Sequence, residues 1–241
     1  MEWVWPLLAA PFVGSFLGVL IARLPQGRPV ALSRSACERC GAVIGPRDLV
    51  PLLSHVVLRG RCRACRAPIA ARHWLVELAA VAVAAWVALA GVGPALWVDC
   101  GLGWALLALA WIDWESMRLP DALTLPLIPA GLFATLWLEP DQATGHAVAA
   151  ALGYAAFRGL AWLYRRLRGR EGLGGGDAKL LAALGAWVGL EGLPTVLLGG
   201  AVVGLAVAAG MALRGRAVGA ATAIPFGPCL ALAGFAVRLH T

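Results

Sequence analysis

The sequence predicts an all-α polytopic membrane protein with about eight transmembrane helices and one small cytoplasmic insert. Three observations carry that expectation. Of 241 residues, 61% are hydrophobic and 14% charged, and the mean hydropathy is +0.79. Soluble domains hold about half apolar and about a quarter charged residues. Apolar runs long enough to cross a bilayer, which takes about 20 residues, recur along the chain. Finally, the basic residues fall in alternate loops, except Arg158 within the fifth run and Arg238 on the far side.

The runs fall at Val4–Leu24, Trp74–Val92, Leu96–Ile112, Ala122–Leu138, Thr144–Leu163, Leu180–Leu190, Thr195–Leu213 and Val218–Leu239. The first follows Met1-Glu2, which lacks the basic start of a secretory signal, and is long enough to span. The sixth is short and carries Gly185 and Gly189, residues a membrane helix tolerates when neighbours re-satisfy its backbone. Ten basic residues lie between Arg23 and Arg72. One is Arg118, five lie from Arg165 to Lys179, and Arg214 and Arg216 add two. The intervening loops at Gly91–Pro94, Glu139–Gln142 and Glu191–Pro194 have none. By the positive-inside rule the Arg-bearing loops are cytoplasmic and both termini lie outside. The net charge of +7 thus reports topology and a lipid bilayer partner, with no nucleic acid implied. Trp3, Trp5, Trp97 and Trp137 suit an outer aromatic belt, and Trp111, Trp114 and Trp162 an inner one.

Three regions follow: a first helix (1–24), a hydrophilic insert (25–73) and a helical bundle (74–241). The insert is too short for a nucleotide-binding α/β domain. It holds Cys37-x-x-Cys40 and Cys62-x-x-Cys65. Two such turns can aim four thiolates at one point, the tetrahedral shell of a structural zinc, and they leave no open coordination position. A cytoplasmic location argues against persistent disulfides. Gly41 suits the left-handed residue that ends the first turn; Arg66, its counterpart, is the less typical choice. Cys100 and Cys229 read as small core residues.

Carboxylates at a membrane boundary are costly and mark function. Asp113 is the first charge after a long apolar run. Asp177 closes Gly172-Leu173-Gly174-Gly175-Gly176-Asp177. Each also has a plain reading, Asp113 as an interfacial charge and Asp177 as a helix N-cap. A cap needs no glycine run, however, and Gly174 and Gly176 leave a side-chain-free strip where a substrate backbone can approach. Both aspartates map to the same membrane face. Asp121 reads as the N-cap of the fourth helix. Glu77, a turn inside the second helix, can snorkel, bind the substrate amine or pair with Arg158, and the interhelix ion pair is the favoured reading because buried charges usually pair. His146 and His240 fall near the outer surface, and no histidine has metal-like spacing.

The ordered set of motifs resembles the type IV prepilin peptidases, bifunctional leader peptidase/N-methyltransferases. It comprises Gly14-Ser15-Phe16-Leu17 through Arg23-Leu24-Pro25, the paired Cys-x-x-Cys insert, Leu58-Arg59-Gly60-Arg61-Cys62, Leu75-Val76-Glu77-Leu78, Ile112-Asp113 with Leu119-Pro120-Asp121, Gly172 to Lys179, and Pro225-Phe226-Gly227-Pro228. The chain departs from the family pattern at Glu38, at Leu49-Val50 and at Gly175. The resemblance implies catalytic aspartates at Asp113 and Asp177. It also implies type IV prepilin or pseudopilin substrates, S-adenosyl-L-methionine as methyl donor, and a bacterial cytoplasmic (inner) membrane location. It assigns no residues to the methyl donor. Two other readings remain: an intramembrane aspartyl protease of the same Gly-x-Gly-Asp type without methyl transfer, and a proton-coupled transporter. Oligomeric state is not indicated.

Overall fold

The computed structural model describes residues 2–30, 34–91, 93–169, 172, 174–215, 219, 222 and 224–240. The regular elements are helices: α1 (Val4–Arg23), α2 (Leu53–Val57), α3 (Arg72–Ala90), α4 (Leu96–Ser116), α5 (Asp121–Leu138), α6 (Ala143–Arg168), α7 (Gly175–Leu213) and α8 (Gly227–His240), with short 3-10 turns between some of them. Strand-like pairing among the described residues is limited to two isolated antiparallel bridges, Ala36 with Val43 and Arg61 with Pro68. Six helices (α1, α3, α4, α5, α6 and α7) are long and apolar enough to cross a membrane. Phe12, Phe133, Leu198 and Leu205 are between 63% and 71% exposed. Large apolar side chains so exposed within long apolar helices are natural against lipid.

The chain forms two compact units, Met1–Ala108 and Leu109–Thr241. In the first, α1 packs on α3. The two backbones approach so closely that a Cβ on Gly14 would lie 2.6 Å from Glu77 Cα, the close contact that small residues permit between membrane helices. Trp104 on the first half of α4 donates its indole N–H to the Ala80 carbonyl at 3.0 Å. The insert leaves from the end of α1 and returns at the start of α3.

In the second unit α7 packs against α5, α6 and α8. Leu180, Leu181, Leu184 and Leu230 are fully buried there. At 39 residues, α7 would run about 58 Å if straight, nearly twice the ~30 Å hydrocarbon core. It breaks at Gly189, whose φ of 69° and ψ of −172° are not helical. The predicted sixth and seventh runs are therefore two helices that meet at a kink, with Gly189 as the break between them. The break coincides with a buried polar cluster. His146 Nδ1 lies 3.0 Å from the Ala186 carbonyl and 3.0 Å from Thr135 Oγ1. A carbonyl only accepts, so the ring carries its proton on Nδ1. His146, in the first turn of α6, is 6% exposed, because it serves backbone at the break. A Cβ on Gly189 would meet His146 Nε2 at 2.8 Å.

Other boundaries shift. α7 starts at Gly175 rather than Leu180, and α4 continues through Asp113 to Ser116. The expected start of the eighth run at Val218, like Leu173 and Arg216, lies outside the described residues; α8 is described from Gly227.

Candidate active site

Asp113 sits in the last turn of α4 and is 5% exposed. Its carbonyl accepts the Met117 N–H at 2.8 Å, and Met117 adopts a left-handed φ of 54°. That closes the helix with an αL cap built on a residue other than glycine. The chain then turns through Leu119 and Pro120 into α5. The Asp113 carboxylate points at the start of α8, where Gly227 N–H donates to Oδ2 at 2.9 Å. A helix N-terminus presents unpaired N–H groups and a positive dipole end, a natural seat for a carboxylate. The sequence reading assigned Gly227 no role; the run Pro225-Phe226-Gly227-Pro228 was the available signal. Its need for glycine is steric: a Cβ there would lie 2.7 Å from Asp113 Oδ2 and 3.2 Å from Leu119 Cδ2.

Asp177 is half-buried in the first turn of α7. Gly174, with extended backbone, is the N-cap residue, and Gly175 and Gly176 are the first two helical positions. Asp177 is therefore not the cap. From the third helical position its carboxylate reaches back to the Gly174 backbone N–H, the return half of a capping box. Gly176 is helical, the second residue of α7. A Cβ on Gly176 would lie 2.8 Å from Leu119 Cβ. Leu119 thus touches both the glycine before Asp177 and the glycine that binds Asp113. The charge of Asp113 acts on Asp177, so the two carboxyl groups stand within electrostatic reach.

Asp121 is the first residue of α5, not its N-cap. Its carboxylate pairs with Lys179 Nζ at 2.5 Å, tying the start of α5 to the first turns of α7 beside Asp177.

In the first unit the four cysteines converge. Their sulfurs all lie within 4.8 Å of one another, the group of this kind found among the described residues, and Cys37 Sγ is 3.9 Å from Cys65 Sγ. Tetrahedral zinc with bonds of about 2.3 Å requires sulfurs about 3.8 Å apart. All four are free thiols. The two turns are built alike: Cys37 N–H donates to the Ala42 carbonyl at 2.9 Å, and Cys62 N–H to Ala67 at 2.8 Å. Arg66 takes the same left-handed φ (59°) as Gly41 (70°), so the second knuckle is as regular as the first despite its side chain. The Cys40 and Arg39 N–H groups aimed at Cys37 bring its thiol down to about 6. Cys40, though the Ala42 amide favours its thiolate, is pushed up to about 11 by the neighbouring Cys65 and Cys37 thiols. One easily ionised thiol crowded by others is the chemistry a cation resolves. The set fits structural zinc, held by Cys37, Cys40, Cys62 and Cys65. Cys100 and Cys229 are buried, as expected.

Glu77 does not bind Arg158. It is 8% exposed, and its Oε2 accepts the Leu52 N–H at 2.7 Å. Ser15 of α1 also hydrogen-bonds it, and the charge of His55 acts on it.

Residues 8–90 match the profile of the bacterial peptidase A24 N-terminal domain, and residues 100–209 that of the type IV leader peptidase family. The chain belongs to the type IV leader peptidase family. Proteins called prepilin leader peptidase/N-methyltransferase share its sequence over almost its whole length. The one from Burkholderia pseudomallei strain 1026b is 42% identical, covering 98% of this chain and 84% of the relative. That of Aeromonas hydrophila is 42% identical over 94% and 87%, and that of Pseudomonas aeruginosa 38% over 97% and 88%. No solved structure matches the chain. In this leader peptidase the first matched segment contains the cysteine cluster and Glu77, and the second contains Asp113 and Asp177. Gly227 lies beyond both.

Proposed function

We propose that the chain is a membrane-embedded aspartyl endopeptidase that removes the basic leader of type IV prepilins or pseudopilins. It then methylates the new N-terminal amine with S-adenosyl-L-methionine. The observation that carries the peptidase half is a buried Asp113 seated on the α8 N-terminus with Asp177 in electrostatic reach. Two neighbouring carboxyl groups cannot both ionise cheaply, so the pair holds one proton between them. The ionised member takes a proton from a water as that water attacks the scissile carbonyl carbon. The protonated member donates to the carbonyl oxygen, and a proton then passes to the leaving amine. The Gly227 N–H and the Gly174 N–H each hold one carboxylate, so the dyad is set before substrate arrives. Gly174 and Gly176 support that geometry by letting α7 begin tightly against Leu119.

The zinc insert, 25–73, serves the methyl-transfer half between helix 1–24 and the bundle 74–241, which carries the peptidase and whose first helix lends Glu77 to methyl transfer. Zinc is structural, because four thiolates fill its shell. Both termini lie outside and the insert faces the cytoplasm of an inner-membrane protein, as the distribution of Arg supports. S-adenosyl-L-methionine supplies an electrophilic methyl group. The residues suited to its positive charge or that of the amine are the carboxylate of Glu77 and the neighbouring His55 and Trp74 rings, 5.9 Å apart.

The deciding experiment incubates purified protein in lipid with a prepilin and methyl donor and follows leader removal and N-terminal mass. Asp113→Asn and Asp177→Asn each abolish leader removal while zinc content stays at the wild-type level. Leader removal by either variant at more than about a hundredth of the wild-type rate rejects the dyad, since loss of such a group costs at least 10²-fold.

A further inference from the structure

Among the described residues two carboxylates are buried, one in each unit: Asp113 in the second and Glu77 in the first. The peptidase mechanism uses Asp113 and leaves Glu77 without a task. A merely structural acid here would be an expensive choice, because burying a carboxylate costs several kcal/mol unless it is well paired. Its surroundings are held with unusual force. Gly14 brings α1 against the Glu77 backbone, and Ser15, the next residue of α1, bonds its side chain. Opposite, Leu52 has a φ of 59° and a ψ of −51°, and the Leu53 N–H closes on the Pro51 carbonyl at 2.6 Å. That is the γ-turn of the rarer hand, strained for a residue with a side chain. Such strain persists where surrounding structure enforces it, and it concentrates at functional sites. The turn aims the Leu52 N–H at Glu77 and opens α2, which carries His55 to the same carboxylate.

We infer that Glu77 is the binding site for the α-ammonium group of the cleaved substrate. The inference deepens the methyl-transfer half of the function proposed above and rests on it. An ionised carboxylate offers about four lone-pair sites; Leu52 and Ser15 use two, so an ammonium can be received without breaking either. One proton passes from the ammonium to solvent water and frees the nitrogen lone pair. That pair forms the new N–C bond to the donor's methyl carbon, the C–S bond breaks with its electrons staying on sulfur, and a protonated secondary amine results. The sulfonium charge is thereby transferred to nitrogen, beside the carboxylate already placed to hold it.

The test uses full-length protein in lipid nanodiscs and a synthetic peptide with the mature N-terminus of a prepilin. One copy has a free amine and the other is N-acetylated. Wild-type protein binds the free-amine peptide at least about tenfold more tightly than the acetylated one. Glu77→Gln keeps an acceptor for the Leu52 N–H but removes the charge. It brings the ratio to about one, lowers methyl incorporation at least about tenfold, and leaves zinc content and leader cleavage unchanged. A wild-type ratio near one overturns the inference and needs no variant to fold. A Glu77→Gln protein that keeps the wild-type ratio overturns it as well, since a purely structural anchor survives that substitution. Because the peptide is supplied already cleaved, the ratio is read whether or not the aspartate dyad works, so failure of the peptidase reading is a separate result.

Discussion

Gly227→Ala is the most incisive perturbation of the peptidase site, because it touches neither aspartate chemically. The added Cβ would lie 2.7 Å from Asp113 Oδ2, against about 3.4 Å for ordinary contact. The carboxylate or the start of α8 must therefore move by roughly 0.7 Å, and a displacement of about 1 Å at a reacting group costs around 10²-fold in rate. The carboxylate also loses the geometry of its bond from Gly227 N–H. A hydrogen bond to a charged group contributes about 1.5–3 kcal/mol, equivalent to a factor of roughly 10 to 150. Both routes give a fall in kcat for leader removal of about 10²-fold. The assay is time-resolved cleavage of a prepilin in lipid by variant and wild type, with methylation of a pre-cleaved peptide as the internal control. Methylation is expected to be unchanged, since Glu77 and the cysteine cluster belong to the other unit. Wild-type cleavage by Gly227→Ala would refute the view that α8 positions Asp113.

Paired Cys40→Ser and Cys65→Ser substitution should cost the protein its zinc, from about one per chain to near none, measured by elemental analysis; full retention would refute the four-sulfur site. Arg66→Gly should slow zinc loss to a chelator, because a left-handed φ costs an L-residue roughly 1–2 kcal/mol; faster loss would contradict the strain assigned there. His146→Ala leaves the Ala186 carbonyl at the α7 break with only the long 3.5 Å bond from Thr135 Oγ1 and should destabilise by about 1–3 kcal/mol, seen as a lower thermal midpoint in detergent. A double-mutant cycle on Asp121 and Lys179 should give a coupling of no more than about 1 kcal/mol, the usual range for an ion pair open to solvent.

What the sequence could and could not reveal follows from the range of each interaction. The helices are legible because apolar runs are local, and α1 and α5 begin and end within about a residue of expectation. The cysteine ligands are legible for the same reason, since each Cys-x-x-Cys turn is self-contained. Asp113 and Asp177 stand out because charge is rare in such a chain. Partners are another matter. Gly227 is 114 residues from Asp113, and a glycine in a chain with 30 of them carries no mark of what it touches. Asp121 looked like a cap because nothing nearby announces Lys179, 58 residues away. Arg158 looked like the partner of Glu77 because opposite charges are easy to match on paper; the strained backbone N–H of Leu52 leaves no imprint on composition. Arg66 shows tertiary demand overriding residue preference: the ligand turn requires a left-handed position, and the chain accepts Arg there.

The packed break of α7 at Gly189, seated against His146, bears on how sidedness in this protein is mapped. A reporter or protease tag spliced at residues 189–194, where hydropathy suggests a periplasmic hairpin, would have to wedge apart His146 and the Ala186 carbonyl. A dead or degraded fusion at that place would speak of ruptured packing and say nothing about which compartment it faced. The stretch at Glu139–Gln142, a genuine connection between two helices, is the sounder place to ask.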